Sequence, residues 1–426
     1  MATKQTVGDY ASLQRGTTYK GNLVGKPGPA LLGLGSIRPG GGFRDGDYKT
    51  YGGECPPKLM LYPGDLFVSL KGATKDGEMI GSIARVPSSV SSGRLTQDTV
   101  KLVFHERNQE NENYIYWLLR TPQYRAYCAG RATGSAVVAL SRDDFLSFPV
   151  PPLTPEKLSA VKLLEAGEKL IELNRKTTET LEEMMRALFQ SWFVDFDPIH
   201  AKFNGRDPGL PPSIADLLSS SFEDSRLGPI PKGWSISGLD ELGTFLNGLA
   251  LQKYPAGEDG SLPAIKIAQL RAGSTENADR VSKDIPSNYR IDDGDVLFSW
   301  SGSLECVVWT ASPGALNQHL FKVTSERYPK WFYLGWILHH LPEFKRIAAA
   351  KATTMGHIQR HHLREALVVI PPADLLNAIE AIFGPLLQTS IAVRLRSKTL
   401  SKIRDTLLPK LISGELRISD STKRLL

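Results

Sequence analysis

Four short segments of this chain occur twice, in the same order, and this repetition narrows the possible folds more than composition does. Tyr62-Pro63-Gly64-Asp65-Leu66-Phe67-Val68-Ser69 returns as Asp292-Asp293-Gly294-Asp295-Val296-Leu297-Phe298-Ser299. Leu95-Thr96-Gln97, followed by Val100-Lys101-Leu102, returns as Leu316-Asn317-Gln318, followed by Phe321-Lys322-Val323. Phe148-Pro149-Val150-Pro151-Pro152 returns as Val368-Val369-Ile370-Pro371-Pro372, and Thr180, Leu181 and Leu188 return as Thr399, Leu400 and Leu407. The separation drifts only from 230 residues at Gly64 and Gly294 to 219 at Leu181 and Leu400. One such match is noise, but four in register are a duplication, with a period far above that of solenoid repeats. A chain of 426 residues also exceeds one ordinary core. Two large, similar units are expected.

Each copy has the same internal order. It opens with β-like runs punctuated by Gly and Pro: Ala30 to Ile37 and Leu66 to Leu70 in the first, Ala264 to Leu270 and Val296 to Trp300 in the second. An amphipathic helix follows, Tyr114 to Cys128 and Trp331 to Ala349, and then an extended run ending in Pro-Pro. Proline drives its predecessor out of the α region, so each Pro-Pro reads as a hinge. After each hinge the pattern is that of a long helix. Ile379, Leu386, Val393, Leu400 and Leu407 recur at sevens in the second helix. Leu164, Ile171, Thr178, Met185 and Trp192 do so in the first, with Leu181 and Leu188 in a companion row. Seven-residue spacing turns one stripe toward one partner helix, so these two helices are expected to bury their stripes against each other as a coiled coil. Gly384-Pro385 is expected to kink the second. His200 to Lys232, rich in Gly, Pro and Ser, reads as a linker. The resulting division is 1–152, a first globular domain; 153–198, its long helix; 199–228, the linker; 229–372, a second globular domain; and 373–426, the second long helix and tail.

Charge follows this division. Residues 1–152 carry +5, 153–228 carry −4, 229–372 carry +1 and 373–426 carry +4, within a net charge of +6. A basic first domain leans toward a polyanionic partner. Cys55, Cys128 and Cys306 are odd in number and far apart, which fits free thiols in a reducing cytoplasm rather than a disulfide framework or a Cys-rich metal site. Nothing approaches eighteen consecutive apolar residues, and Met1 to Tyr10 lacks the apolar core of a secretory signal, so no membrane association is expected.

Several patterns suggest catalysis and fall short of it. None of Pro56-Pro57, Pro151-Pro152, Pro211-Pro212 and Pro371-Pro372 stands in the Asn/Asp-Pro-Pro-aromatic loop of an amino-methyltransferase. Gly21 to Lys26 is one residue short of a phosphate loop and continues into Pro27. Asp195-Phe196-Asp197 would place two carboxylates on one side of a strand, a possible Mg²⁺ pair, but no third ligand follows. Glu343-Phe344-Lys345 has a nuclease-like spacing inside a helical pattern. His339-His340 and His361-His362 are adjacent pairs, about 100° apart on a helix, and so poor shared ligands. No catalytic or metal site is assigned.

At this point the sequence resembles a known family. Leu188-Phe189-Gln190-Ser191-Trp192-Phe193-Val194-Asp195-Phe196-Asp197-Pro198 is similar to the central region of type I restriction-modification specificity (S) subunits. So are Thr353-Thr354-Met355-Gly356-His357-Ile358, Val368 to Pro372, and Leu407 to Leu416. Pro229-Ile230-Pro231-Lys232-Gly233-Trp234 resembles the family's entry into a target-recognition domain. The first unit departs from the pattern. It lacks that entry and starts near Tyr10, and Ala132-Thr133-Gly134-Ser135-Ala136 replaces the Thr-Thr-Met-Gly-His stretch.

The resemblance implies an α/β (α+β) chain with a pseudo-two-fold repeat. Two target-recognition domains, built of short sheets and helices, are separated by two long antiparallel coiled-coil helices. Each domain would read half of a bipartite double-stranded DNA site, with the helices fixing the gap. No cofactor would be bound by this chain. Methylation with S-adenosylmethionine would belong to two modification subunits, and ATP- and Mg-dependent cleavage to restriction subunits. The residues expected to face DNA are Lys20, Lys26, Arg38, Arg44, Lys71 and Arg94 in the first unit. In the second they are Lys253, Lys266, Arg271, Arg280, Lys351 and His357. All stand in loop-like stretches from which a side chain can reach a groove. The helix seam is expected at Leu181, Met185, Leu188 and Trp192 against Val393, Leu400 and Leu407. Two other classes remain open, a coiled-coil protein scaffold and a single-chain nuclease. Retention on DNA without metal-dependent cutting separates them from a reader.

Overall fold

The duplicated runs Leu66–Ser69 and Val296–Ser299 are strands, buried along their whole length. Four apolar or small residues bounded by Gly-Asp turns fit the centre of a sheet covered on both faces. The computed structural model describes residues 5–44, 46, 48–72, 78–134, 138–258, 260–350 and 356–418. It divides into two units: Met1–Lys169 with Ser401–Leu426, and Leu170–Leu400.

Unit 1 contains, in chain order, α1 (Val7–Tyr10), β1 (Ala11–Arg15), β2 (Ala30–Leu32), β3 (Met60–Leu61), β4 (Leu66–Ser69), β5 (Ile83–Arg85), β6 (Gly93–Leu95), β7 (Thr99–Phe104), α2 (Gln109–Leu118), α3 (Pro122–Arg131), α4 (Arg142–Leu146) and the start of α5 (Pro155–Phe189). One sheet has the order β1-β7-β4-β5 and is antiparallel, and a second has the order β2-β6-β3 with β2 parallel to β6.

Unit 2 continues with α6 (Asp197–Phe203), α7 (Pro212–Ala215), β8 (Phe222–Glu223), β9 (Ile230–Pro231), β10 (Ser235–Gly238), β11 (Thr244–Asn247), β12 (Ser261–Ile265), α8 (Ile267–Ala272), β13 (Arg280–Ser282), β14 (Arg290–Ile291), β15 (Val296–Ser299), β16 (Cys306–Val308), β17 (Gly314–Leu316), β18 (Leu320–Thr324), α9 (Lys330–Ala350), α10 (Arg360–Glu365), β19 (Leu367–Ile370) and α11 (Ala373–Ser413). Its main sheet, β11-β18-β15-β16, repeats β1-β7-β4-β5. In its second sheet, β13-β12-β17-β14, the parallel β12–β17 pair repeats β2–β6, and β13 beside β12 repeats the antiparallel bridge of Thr50 to Ala30 beside β2.

The repeat extends to side chains. Lys101 on β7 reaches Asp65 at 2.5 Å and the Met60 carbonyl at 3.1 Å, and Lys322 on β18 reaches Asp295 at 2.7 Å and the Arg290 carbonyl at 2.9 Å. Each aspartate also accepts from a backbone N–H at the start of its turn, Tyr62 or Asp292, at 2.8 Å. A half-buried lysine needs such a partner, because an unpaired buried charge is costly. The duplicated Gly-Asp turns are thus explained by a duplicated ion pair.

Several expectations are corrected. The helix read over Tyr114 to Cys128 is two helices, because Thr121 caps a new one whose first residue is Pro122. The run Ala264 to Leu270 is the end of β12 followed by α8. The expected linker 199–228 is folded onto unit 2, burying Ile199, Ile214 and Leu218 in the same core as Trp234 and Phe332. Its glycines and prolines make tight turns around three apolar anchors. Asp195-Phe196-Asp197 is not a strand. A π-turn at Gln190–Val194 ends α5, and Phe196 takes a left-handed conformation (φ 54°). Unit 1 does not start at Tyr10, since Val7 N–H donates to Phe148 O at 3.0 Å and Val150 N–H to Gln5 O at 2.8 Å. This is the counterpart of the β10–β19 pairing in unit 2.

The long helices contain 35 and 41 residues, and α11 runs unbroken through Gly384-Pro385. Within unit 1 the start of α5 packs against the end of α11, Ala160, Val161 and Leu164 sharing a core with Leu408, Leu411 and Ile412. Within unit 2 the end of α5 packs against the start of α11, Trp192 meeting Phe383 at 5.6 Å between ring centroids. Each unit therefore holds the two helices antiparallel. On the first helix Trp192 is buried and Leu181, Met185 and Leu188 are half-buried. On the second, Val393, Leu400 and Leu407 are only half-buried, and the fully buried row is Ile379, Phe383, Leu387, Ile391 and then Leu408. A straight helix drifts about 20° per heptad from a strict seven-residue repeat, which moves burial to neighbouring positions. By length and composition alone α11 could cross a membrane, with mean hydropathy 1.3 over 18 residues. That helix instead buries Leu375, Leu376, Ile379 and Phe383 in the core of unit 2.

Candidate nucleic-acid interface

The expected DNA-facing cations separate into those that structure a loop and those presented to solvent. Arg94 belongs to the first kind, because it is buried on β6 and its guanidinium donates to Thr17 Oγ1 at 3.0 Å and Thr18 O at 2.9 Å, with Tyr51 over it at 5.0 Å. It pins the loop that carries Lys20 and cannot itself face a groove. Lys20 and Lys26 are exposed on that loop, beside the 3-10 turn Gly21–Leu23. Arg38 and Arg44 are exposed on a second loop of unit 1, closed by hydrogen bonds from Arg38 N–H to Gly42 O (2.9 Å) and Arg44 N–H to Ser36 O (3.0 Å). Lys71 lies past the end of β4, paired with Asp98 at 3.3 Å.

In unit 2, Lys253 is exposed at the end of a 3-10 turn and Arg271 is exposed in the last turn of α8. Lys266 pairs with Asp279, and Arg280 donates to Ser261 Oγ at 2.9 Å and Ser261 O at 2.6 Å, which ties β13 to β12. Both remain exposed, but part of their hydrogen bonding is spent internally. His357 is half-buried and bridges to Ser301 beyond the end of β15. Lys351, with Thr353, Thr354 and Met355, lies outside the described residues.

Lys71 and Ser301 thus occupy one topological place in the two copies, because Lys71 bridges Ala139 just as Ser301 bridges His357. The counterpart of His357 is therefore Ala139, and the Ala132 to Ala136 alignment is three residues early.

The tempting acids and imidazoles have structural duties. Asp195 accepts from Gln190 Nε2 at 3.0 Å and Asp197 from Ser191 Oγ at 2.7 Å, closing the π-turn whose Trp192 and Phe193 plug the core. Glu343 pairs with Arg346, and Lys345 with Glu305. His340 donates through Nε2 to Leu367 O at 3.0 Å, and burial, with the neighbouring His339, pushes its pKa down to about 4. Burial likewise pushes the Cys306 thiol up. All three cysteines are free. His361, His362 and Glu365 bring ligand atoms within 4.8 Å of one another, against the expectation that adjacent histidines cannot converge. His362 Nδ1 already accepts the Gln359 N–H at 2.9 Å, as the cap of α10. An apolar cavity of about 380 Å³ in unit 2 is bordered by Met185, Phe189, Leu338 and Phe383, with Arg394 at its edge paired to Glu182.

The geometry is that of two similar basic-looped sheets, each joined to the same pair of helices. Among solved structures, the S subunit of a type I restriction-modification system from M. genitalium matches with a TM-score of 0.51, over 96% of this chain and 95% of that one, at 14% identity. The fold is that of a type I specificity subunit. Among curated proteins, the specificity subunit of the type I restriction enzyme MjaIX of Methanocaldococcus jannaschii is 25% identical over 317 residues, 72% of this chain and 69% of that protein. The specificity subunit of the HindI enzyme of Haemophilus influenzae is 23% identical over 314 residues, 62% of this chain and 68% of that protein. The resemblance read from the sequence is therefore borne out by relatives of the same kind. No protein-family model matches the chain.

Proposed function

We propose that this chain is the DNA-reading subunit of a type I restriction-modification complex and acts in the cytoplasm without a catalytic centre of its own. The observation that carries this reading is the duplicated sheet with its duplicated Lys–Asp pair, in a chain similar to specificity subunits. Each unit would bind one half of a bipartite double-stranded site. Lys20, Lys26, Arg38 and Arg44 would approach the duplex from unit 1, and Lys253, Lys266, Arg271, Arg280, Lys351 and His357 from unit 2. Phosphate contacts would set register and base contacts would set sequence. The long helices would serve as spacer and as the seat of two modification subunits. These would bring S-adenosylmethionine, and restriction subunits would bring ATP and Mg²⁺. Tandem duplication mimics a two-fold dimer on DNA while leaving the half-sites free to differ.

The test is co-expression with its modification subunits followed by genome-wide methylation sequencing. One bipartite motif should be methylated only when this chain is present, and the purified chain should bind duplex DNA with log K falling linearly in log salt. A methylation pattern indifferent to the chain, or metal-dependent cutting by the chain alone that is lost in Asp195→Ala, would overturn the reading.

A further inference from the structure

Both units end their central strand in the same backbone corner. In unit 1, Gly72 N–H donates to Val138 O at 2.8 Å and Leu140 N–H to Leu70 O at 2.9 Å; in unit 2, Gly302 N–H donates to Gly356 O at 2.8 Å and Ile358 N–H to Trp300 O at 2.9 Å. A glycine brings the edge strand in against each corner, Gly16 N–H donating to Thr99 O at 3.1 Å and Gly248 N–H to Leu320 O at 3.0 Å. A Cβ at Gly16 would lie 1.8 Å from Thr96 O, and one at Gly248 would lie 2.2 Å from Asn317 O. The ladder registers make the equivalence residue by residue. Leu297 opposite Lys322 matches Phe67 opposite Lys101, so Ser301 corresponds to Lys71 and His319 to Asp98.

On this shared frame the side chains differ in kind. The unit 1 corner holds an ion pair, Lys71 with Asp98 at 3.3 Å, with side chains 44% and 34% exposed. The unit 2 corner holds hydroxyl, imidazole, amide and indole groups in place of that ion pair. Ser301 Oγ lies 3.0 Å from His319 Nδ1, and the Trp300 indole donates to Asn247 Oδ1 at 3.0 Å and to Gln318 O at 3.1 Å. The Trp300 ring stands 5.8 Å from His319 and 6.4 Å from His357. Asn247 is exposed, Trp300, Gln318, His319 and His357 are half-buried, and Ser301 is buried, so its hydroxyl orients the His319 ring from below. The paired backbone bonds and the close-packed glycine hold both corners in one fixed geometry. Rigidly mounted hydrogen-bonding groups at an open edge are what base reading needs. Lysine is suited to the acceptor edge of guanine, while amides and hydroxyls suit edges that present both donor and acceptor.

We propose that this corner is a specificity-determining contact with base edges of double-stranded DNA. Exchange of Lys71–Asp98 for Ser301–His319 then makes the two half-sites read different bases. The inference rests on the reading of the chain as a DNA-recognition subunit. The test uses the full chain co-expressed with its modification subunits and methylation sequencing of Lys71→Ala, Lys71→Gln, His319→Ala and His319→Gln. Each Lys71 variant should relax at least one base of one half-site, by roughly tenfold or more in discrimination, and leave the other half intact. Each His319 variant should do the same to the other half. If an alanine variant abolishes methylation, its glutamine counterpart decides. An unchanged motif with uniformly weaker binding and a shallower salt slope marks a phosphate contact and overturns the proposal, as does relaxation of the same half by both sets. A wild-type complex that methylates no bipartite motif overturns the underlying reading instead.

Discussion

Unit 1 fastens its long helix through charge and unit 2 through aromatic packing. In unit 1, Glu165 on α5 accepts from both terminal nitrogens of Arg85, at 2.8 and 2.9 Å, and from the Trp117 indole at 2.6 Å, while Arg85 lies 4.1 Å over the Tyr116 ring. In unit 2, the Trp331 indole donates to Glu380 on α11, and the joint is filled by rings: Trp331 on Phe383 at 4.4 Å, and Phe193 against Phe332 at 5.5 Å. The sheets beneath are the same. A duplicated frame keeps what holds the backbone in place, the Gly-Asp turn and its lysine, and lets the fastening and the outer corner diverge. Identity of frame and difference of surface are what a protein reading two unlike half-sites requires.

The largest expected effect tests that contrast directly. Glu165→Ala leaves the Arg85 guanidinium, whose side chain is only 20% exposed, without an anionic partner and held by Asn113 and the Tyr116 face alone, and should cost about 3 kcal/mol. Glu380→Ala removes an acceptor from a single indole and should cost about 1 kcal/mol. Urea denaturation of the full chain, with hydrogen exchange to locate the loss, measures both. Equal losses would erase the distinction between a charged and an aromatic joint.

The sameness of the frame is tested by Gly16→Ala and Gly248→Ala. Each Cβ would collide with a carbonyl, and overpacking of this kind costs about 1–3 kcal/mol. The two losses should be alike, and each should reduce exchange protection in its own sheet. A loss in one unit only would mean that the corners are not equivalent.

A further effect is one of pH and belongs to unit 2. His340 is held neutral in the folded protein, with a pKa of about 4 against an ordinary value of 6.5. Between those values the unfolded chain binds the extra proton, so stability falls as pH drops from 6.5 toward 4. The melting temperature should decline across that window, and His340→Gln should flatten the decline. Exchange protection around β19, which His340 contacts at Leu367 O, should follow.

The duplication, the strand pairs at Leu66 and Val296, the long helices after each Pro-Pro and the family resemblance were legible in the chain, because they rest on local order and period. What depended on distant partners was not. Arg94 looked like a free cation until Thr17, Thr18 and Tyr51 closed on it. Segment 199–228 has linker composition, yet Ile199, Ile214 and Leu218 find a core. The seven-residue rows put the seam at Val393, Leu400 and Leu407, whereas helix geometry buries Leu387, Ile391 and Leu408. The sequence by itself determined that there are two units, what each contains and in which order, because hydrophobic period and turn residues act over a few neighbours. Only the tertiary structure decided which cations remain presented and that Lys71 and Ser301 share a corner. Those facts depend on strand register between residues far apart in the chain, and side-chain pattern does not encode that register without the fold.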